Sequence, residues 1–419
     1  METGAPPELS AFARGAALDE DRGVDGSLTA AGLARRQAVL DLEATARLPL
    51  MFARKRAKMA RSAHAFFRGC SPLFYELLAA RPEPTLEGHG YIVGDMHVEN
   101  VGAYRGESGA VVFDLNDFDD AATGPWWADV LRLTVSTLLA ARGLGRSGAD
   151  ALRAAEAMAA GWRAGLAGDA PGVLPREIER LVRRAEQRTD AELLAGRTLV
   201  TGGRRAFVRG ERYIDLAPEL RARVGALVGA YVLALGSRAP RHAADWRVED
   251  AAWRVAGTGS LGVIRIAIVV SRTGGVDRLI ELKEARRSAL RGAFTASGSE
   301  PADRAEAVVE AARALVADPP RLLAAVSGPP GFVGRRLFPQ EDKLAFDGGI
   351  ESVEAVVRQV GWRLGRAHRR GASAVPARPW SDRDLSGILD QAVELAGLFE
   401  SVYLAYCRDA VRGPDRRPS

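Results

Sequence analysis

The sequence predicts an α+β protein of two lobes, with a small antiparallel β lobe carried between two stretches of helix. Three observations lead there. The apolar pattern is helical from residue 31 to about 246, apart from short strand-like runs at 90–93 and 110–115. From 247 to about 340 the texture changes to β-branched runs punctuated by glycine, and beyond 341 it is helical again. At 419 residues, the chain also exceeds one ordinary small core. It therefore divides into an extension (1–30), a helical large lobe (31–246), a β-rich small lobe (247–340) and helices completing the large lobe (341–419).

Taken in order, residues 1–30 show little apolar periodicity and are expected to be a disordered extension. The helical pattern from 31 to about 80 is interrupted near Pro49 and again at Gly69–Pro72, and a Pro82/Pro84 loop ends it. A strand at 90–93 enters an acidic loop, and Val111 and Val112 mark the next strand, which ends in Phe113, Asp114 and Leu115. After Gly124-Pro125, an amphipathic helix at 127–142 buries Val130, Leu131, Leu133, Thr134 and Leu138. Residues 147–236 read as mostly helical, broken by a Gly/Pro stretch at 168–175 and by Gly202-Gly203. Strands are expected at 251–256, 263–270 and 279–283. A helix with Pro301 in its first turn follows and stops at Pro319-Pro320. A further strand element falls at 332–338, and helices at 349–370 and 382–409.

Composition excludes several classes. An apolar fraction of 47% with 26% charged residues is that of a globular chain and too rich in core-forming residues for a disordered one. Two cysteines, Cys70 and Cys407, cannot build a disulfide framework and lack metal-ligand spacing, which points to a reducing cytoplasmic setting. No stretch approaches the roughly 20 apolar residues of a membrane span, and residues 1–25 lack a signal core. The net charge of +5 is dispersed. Its one dense cluster, Arg54-Lys55-Arg56-Ala57-Lys58-Met59-Ala60-Arg61, reads as a solvated helix face, with an anionic partner such as nucleic acid or a membrane surface as the sharper alternative.

The chemistry-bearing motifs are two. The first is Gly94-Asp95-Met96-His97-Val98-Glu99-Asn100, followed by the strand ending at Asp114 and the acid run Asp114-Leu115-Asn116-Asp117-Phe118-Asp119-Asp120. Phosphoryl transfer asks for one carboxylate to take the acceptor proton, an amide oxygen on a divalent cation and a second carboxylate holding that cation on the phosphates. Asp95 fits the base, Asn100 a Mg²⁺ ligand and Asp114 the principal ligand, with Asp117 as a second candidate. Asp117-x-Asp119 equally suits the metal pair of a nucleotidyltransferase or glycosyltransferase. His97 is expected to be structural, bonded to backbone carbonyls, and Asp129 to brace the loop from the next helix. His368 ends a helix, where its charge suits the dipole. Phe66-Phe67-Arg68-Gly69 reads as core packing with an exposed arginine, a phosphate contact being the alternative.

The second motif is Gly257-Thr258-Gly259-Ser260-Leu261-Gly262, which is weak evidence alone. The run that follows, Val263-Ile264-Arg265-Ile266-Ala267-Ile268-Val269-Val270, opens a strand rather than a helix. A hairpin lying over phosphates is therefore expected, not a dinucleotide-binding turn. Lys283 closes the apolar strand after it and would supply the cation that pairs the phosphates, with Glu306 or Glu310 of the following helix as its partner. The two motifs stand in the reverse of a kinase's order, so the fold class becomes a bilobal protein-kinase-like fold, circularly permuted.

These segments, together with Lys283-Glu284-Ala285, resemble the bacterial family called domain of unknown function 2252, from about residue 48 to the last helix. That family is grouped with protein-kinase-like proteins, and the 94–100 loop with Asp114 is similar to the catalytic and metal-binding segments of aminoglycoside and choline kinases. The resemblance implies a kinase-like fold and nucleotide binding but supplies no acceptor. Ala311-Ala312 stand where the family tends to carry Gly-Gln. The expected activity is Mg-ATP-dependent phosphotransfer to a hydroxyl, with ATP and Mg as cofactors, Gly257, Gly259, Ser260, Gly262 and Lys283 on the nucleotide, and Asp95, Asn100, Asp114 and Asp117 at the reacting centre. No nucleic-acid partner is expected. A nucleotide-binding pseudokinase, an adenylyl-transferring enzyme and a basic nucleic-acid-binding protein are the rival readings.

Overall fold

A computed structural model of the chain describes residues 29–272, 275–290, 293–294 and 301–412. The extension expected at 1–30 lies, as far as residue 28, outside them. In chain order, helices α1 (Ala30–Thr45), α2 (Leu50–Met59), α3 (Ala63–Phe67) and α4 (Ser71–Ala79) precede strands β1 (His89–Ile92), β2 (Val101–Arg105), β3 (Val111–Leu115) and β4 (Ala122–Pro125). Helices α5 (Trp126–Gly143), α6 (Gly148–Ala167), α7 (Arg176–Gln187) and α8 (Asp190–Ala195) follow, then β5 (Thr198–Thr201), β6 (Arg204–Phe207) and β7 (Tyr213–Ile214). Helix α9 (Pro218–Leu235) leads to β8 (Arg247–Arg254), β9 (Arg265–Ser271), β10 (Arg278–Glu284), α10 (Arg304–Leu315), β11 (Ala324–Val326) and β12 (Phe332–Arg336). Last come β13 (Asp342–Lys343), α11 (Val353–Arg370), β14 (Ala372–Ala374) and α12 (Asp382–Arg412). The fold is α+β, with small antiparallel sheets set among helices.

The sheet that dominates the β-rich part has the order β11-β12-β10-β9-β8-β7 and is antiparallel throughout. Alternation along its strands sorts side chains onto two faces. Trp253, Ile266, Ile268, Ile280 and Leu282 point to the back, where they pack with Val224, Leu227, Val228 and Tyr231 of α9. Arg254, Arg265, Glu281, Lys283 and Arg335 share the front, as the pairs Lys283↔Arg265 and Glu281↔Arg335 require. The boundary expected at 247 therefore falls inside this unit, because β7 extends the sheet's edge and α9 covers its back. Gly202-Gly203, read as a break between helices, is instead the turn of the β5–β6 hairpin, with φ of 58° and 78°. Pro301 precedes α10 rather than opening it, and Asp303 caps that helix by accepting the Ala305 and Glu306 N–H groups.

Two three-stranded sheets, β14-β1-β4 and β13-β2-β3, position the acidic loops. The chain crosses from the first to the second between β1 and β2, and back again between β3 and β4. The 94–100 loop and the 116–121 loop are these two crossings, so they lie side by side.

Helices α6 and α11 approach each other closely because each carries glycines four apart. A Cβ on Gly161 would lie 2.1 Å from the Arg358 carbonyl, and one on Gly365 only 2.0 Å from that of Trp162. This contact gives a physical reason for part of the Ala- and Gly-rich stretch after 147, and it brings Trp162 of α6 against His368 of α11. Helix α5 is buried along almost its full length, its own Trp126 and the aromatic residues Phe66, Phe67 and Phe74 filling the core around it. Each such buried side chain contributes on the order of 1.5–3 kcal/mol. Among the described residues one helix, Pro218–Arg238, is long and apolar enough to cross a membrane by length and composition, and one side of it is packed on the sheet.

Candidate functional site

A cavity of about 890 Å³ opens between the front of the six-stranded sheet and the two acidic loops. Its wall includes Asn116, Asp117 and Asp119 from one side and Gly257, Thr258, Ser260 and Lys283 from the other, with Lys58 of α2 and Arg61 and Arg68 from the ends of α2 and α3 closing it. Twelve arginine and lysine side chains line it against six carboxylates, which gives the cavity a positive potential.

The loop at 94–100 is held from behind by Asp129, the first-turn acid of α5. Its carboxylate accepts the N–H groups of Val93 and Gly94 at 2.7 and 2.9 Å. His368 Nε2 lies 3.0 Å from the same carboxylate, and the Trp162 indole N–H donates to His368 Nδ1 at 3.1 Å. An indole can only donate, so Nδ1 is the acceptor and Nε2 carries the hydrogen given to Asp129. Trp126 stacks on the same imidazole with ring centroids 5.4 Å apart. His368 lies in the last turn of α11, as expected, and is there a fully buried link in a brace. Tyr75 Oη adds a bond to the Gly94 carbonyl at 2.5 Å, and Ser136 Oγ accepts from Val98 at 3.1 Å. His97 is buried and held well below its ordinary basicity, by burial first and then by Arg68. Its Nδ1 accepts the Glu99 N–H at 3.2 Å, where carbonyl partners were expected.

Within this frame, the Asn100 side-chain NH₂ donates to the carbonyls of Asp95 and Asp117, both at 3.1 Å, tying the two loops together. That fixes the amide, and its buried Oδ1 has no hydrogen-bond partner. Asn116 Oδ1 is likewise buried and unpartnered. Asp95 is gripped by Arg132, a fully buried side chain of α5, whose Nε and Nη2 both donate to Oδ1 at 3.1 and 2.5 Å. Asp120 lies beside it, its carboxyl pushed up to about 6 by burial and then by Asp95, while its Oδ1 accepts the Ala289 N–H at 2.8 Å.

Lys283, 166 residues further along the chain, reaches across to the acid loop. Its Nζ is 3.5 Å from Asp117 Oδ1 and is also paired with Asp119. Burial lowers the ammonium to about 8, Asp117 pulling in the other direction. Burial pushes Asp117 up, but Lys283, Lys343, Arg265 and Arg335 outweigh it and hold the carboxyl below its usual range. The glycines form the turn of the antiparallel β8–β9 hairpin. Gly257, Thr258 and Ser260 face the cavity, and Lys58 Nζ donates to the Gly257 carbonyl at 2.7 Å. Gly259 lies against the Arg68 carbonyl. Gly262 plays a different part: its φ is +90° and a Cβ there would meet the Ala44 carbonyl at 2.3 Å, so it seats the hairpin on the end of α1.

Two expectations do not share this cluster. Asp114 stands within β3, where Oδ1 accepts its neighbour Leu115's N–H at 2.9 Å and Oδ2 lies 3.7 Å from Arg370; like Asp95 and Asn100 it is not part of the cavity wall, and unlike them it is not tied to the Asp117 loop or to Arg132. The carboxyl that meets Lys283 comes from the loop beyond the strand, because only there is the chain free to turn toward Asn100. Neither Glu306 nor Glu310 partners Lys283. Glu306 accepts the Ser327 hydroxyl at 3.3 Å, and both are exposed. The basic cluster is not one solvated face either: Lys55 is buried against Asp41 at 2.9 Å, while Lys58 and Arg61 line the cavity. Arg68 also lines it, ion-paired with Glu99. Sequence reading missed Arg132, whose signal is a charge three residues after Asp129 on an otherwise apolar helix. It also missed Arg254, Arg265 and Arg335 around the buried Glu281.

No group of three or more His, Cys, Asp or Glu side chains able to share a metal occurs among the described residues. A Mg²⁺ site asks for less, one or two protein oxygens with phosphate and water. Asp117 and the unpartnered Oδ1 of Asn100 fit that demand.

Residues 47–409 match the family model of the uncharacterized proteins conserved in bacteria known as DUF2252, and the chain belongs to that family. No curated protein and no solved structure matches it.

Proposed function

We propose that this protein is a Mg-ATP-dependent phosphotransferase acting on a hydroxyl acceptor, with a kinase-like pair of lobes in permuted order. The observation that carries the reading is the meeting of Lys283, on the strand after a glycine hairpin, with Asp117 and Asp119 of a loop that precedes it by more than 160 residues. The sheet supports it too: hairpin β8–β9 with its glycine turn, β10 with the lysine, then α10 and β11–β12, is the element order of a kinase small lobe. The acid loops come before it instead of after it. Catalysis depends on where groups converge and not on their order along the chain.

In this reading, the acceptor hydroxyl gives its proton to Asp95, whose Oδ2 is left open by the grip of Arg132 on Oδ1. The oxygen then bonds to the γ-phosphorus as the bond to the β-bridging oxygen breaks and ADP leaves. Lys283 leaves Asp117 and Asp119 to take phosphate oxygens, and the backbone around Gly257 and Ser260 covers them. Mg²⁺, held by Asn100 and Asp117, would offset charge on the β- and γ-phosphates.

Calorimetry of ATP binding with and without Mg²⁺, on wild type, Asp117→Ala and Lys283→Ala, tests the site. Metal-dependent binding lost in both variants is expected. A folded wild type that binds no ATP would sink the reading. Product mass then separates phosphoryl transfer from addition of AMP. One observation favours a second reading, a nucleotide-binding pseudokinase: α10 offers Lys283 no glutamate. Binding without turnover over an acceptor screen would select it.

A further inference from the structure

The front of the six-stranded sheet carries a layer of charge that a triphosphate and its metal do not account for. Glu281 of β10 is completely buried and takes three arginines at once. Its Oε1 accepts from Arg335 Nε and Nη2, both at 3.0 Å, and from Arg265 Nη2 at 3.3 Å, while Oε2 pairs with Arg254. One carboxylate with about four acceptor positions is then saturated. The guanidinium groups of Arg254 and Arg265 are not. The Nε groups of Arg254 and Arg265 are buried without a partner, and so is Nη1 of Arg197 beside them. Two further carboxylates neighbour them: Glu341, 3.2 Å from Arg335 Nη1, and Asp117, whose charge acts on Arg265 and Arg335. Arg197, Arg254, Arg265 and Arg335 all face the cavity.

Charge and space both ask for a second ligand group. The cavity wall has six more cations than carboxylates, five once Glu281 behind it is counted, whereas Mg-ATP brings roughly two net negative charges. At about 890 Å³ the cavity lies near the upper end of ligand pockets, roughly 300–1,000 Å³. The guanidinium layer is also offset from the metal acids. Glu281 is two residues before Lys283 on the same strand, roughly 7 Å away, and the arginines hydrogen-bond to it, whereas Arg265 and Arg335 act on Asp117 only through their charge.

We infer that Arg254, Arg265 and Arg335, with Arg197, form a second anion subsite for a phosphate group on the acceptor, so that the substrate is a phosphorylated, hydroxyl-bearing small molecule. Planar guanidinium groups with free N–H donors, fixed by a buried carboxylate, match phosphate oxygens in number and geometry. The identification of that ligand as the acceptor rests on the phosphotransferase reading, whereas the anion subsite itself does not.

The test uses inorganic phosphate as the probe, without Mg²⁺. Phosphate is expected to bind wild type and Lys283→Ala alike, and at least about tenfold more weakly to Arg254→Met/Glu281→Met/Arg335→Met, which removes the buried acid together with two of its partners. Mg-ATP is expected to bind that triple variant within about threefold of wild type. Phosphate binding lost in Lys283→Ala, or Mg-ATP binding lost in the triple variant, would overturn the inference by showing one anion site instead of two. A second readout needs no variant: phosphate should protect Arg254, Arg265 and Arg335 of the wild type from phenylglyoxal, read by peptide mass spectrometry, and equal modification with and without phosphate overturns it. A wild type that binds phosphate on the arginines but never Mg-ATP would keep the subsite and discard the phosphotransferase.

Discussion

Asp129 and Glu281 are both fully buried carboxylates behind a wall of the same cavity, and they are accommodated in opposite ways. Asp129 is surrounded by neutral donors, two backbone N–H groups and an imidazole. Its charge is solvated by dipoles, and the product is geometry: a loop that begins at Gly94 in one place. Glu281 is surrounded by cations, and burial alone would push its carboxyl up, yet Arg254, Arg265 and Arg335 hold it well below the usual range. The product there is field, since three guanidinium groups share one negative charge. A buried acid can thus serve to fix a backbone or to store positive potential, and its partners tell which.

Removing the acid from the charged cluster should have the largest effect. Glu281→Ala leaves three arginines crowded around no anion and should cost about 3–5 kcal/mol, read as a fall in the denaturation midpoint. Substitution of the whole cluster by methionines should cost much less, because the penalty comes from the stranded charges. The sign with pH follows from the depressed carboxyl. Its stabilisation is complete above the ordinary glutamate range and is lost as pH falls through the lower folded value, so the wild type should lose this contribution only in strong acid.

Next comes the dipole-solvated acid. Asp129→Asn replaces two acceptor oxygens by one acceptor and one donor, while three donors still converge there. One N–H must lose its partner or face another donor, which should cost about 1–3 kcal/mol. The checking measurement is amide exchange: Val93 and Gly94 should lose protection while the six-stranded sheet keeps it. Gly365→Ala attacks the same brace from outside. A Cβ 2.0 Å from the Trp162 carbonyl must push α6 from α11, at about 1–3 kcal/mol, and should move the Trp162 fluorescence with it.

The contrast also marks what could be read from the chain. Asp129 was legible as a brace because an acid in the first turn of an apolar helix must find donors, and the nearest chain is the acidic loop. Its partners His368 and Trp162 were not, since they arrive from two helices whose contact depends on glycine spacings on both. The strands β8, β9 and β10 were legible from β-branched alternation, and the hairpin reading of Gly257–Gly262 follows from the same run. The guanidinium layer was hidden because its members are spread over three strands as ordinary-looking polar positions, and only register brings Arg265, Glu281 and Arg335 abreast. Asp114 was preferred over Asp117 for ending an apolar strand, yet strand position fixes a side chain's face, whereas the loop beyond it can turn.

Asp120 offers a smaller and oppositely signed test. Its folded carboxyl, at about 6, exceeds the ordinary 3.8, so the folded state binds this proton more tightly than the unfolded chain does. Stability from the group is complete below the unfolded value and lost as pH rises through about 6. Asp120→Asn keeps an oxygen for the Ala289 N–H and removes the repulsion with Asp95. It should raise stability by about 1–2 kcal/mol at neutral pH and by nothing below about pH 4, measured as paired melting curves.

The finest comparison concerns Lys283, which stands between the two acids' territories: on the sheet with Glu281, yet paired with the loop that Asp129 helps to hold. Burial has lowered its ammonium to about 8 despite Asp117. Above that pH the unliganded protein loses the cation, whereas the arginines of the layer keep theirs. An anion held through Lys283 should therefore bind at most about tenfold more weakly for each pH unit above 8, and one held by the layer should not weaken, since phosphate only gains charge over that range. Lys283→Arg should flatten the first profile and leave the second as it was. Mg-ATP and inorganic phosphate, titrated at pH about 7 and about 9, read the two sides separately. If both weaken in parallel, the lysine and the arginines act on a single anion, and the two walls are one site.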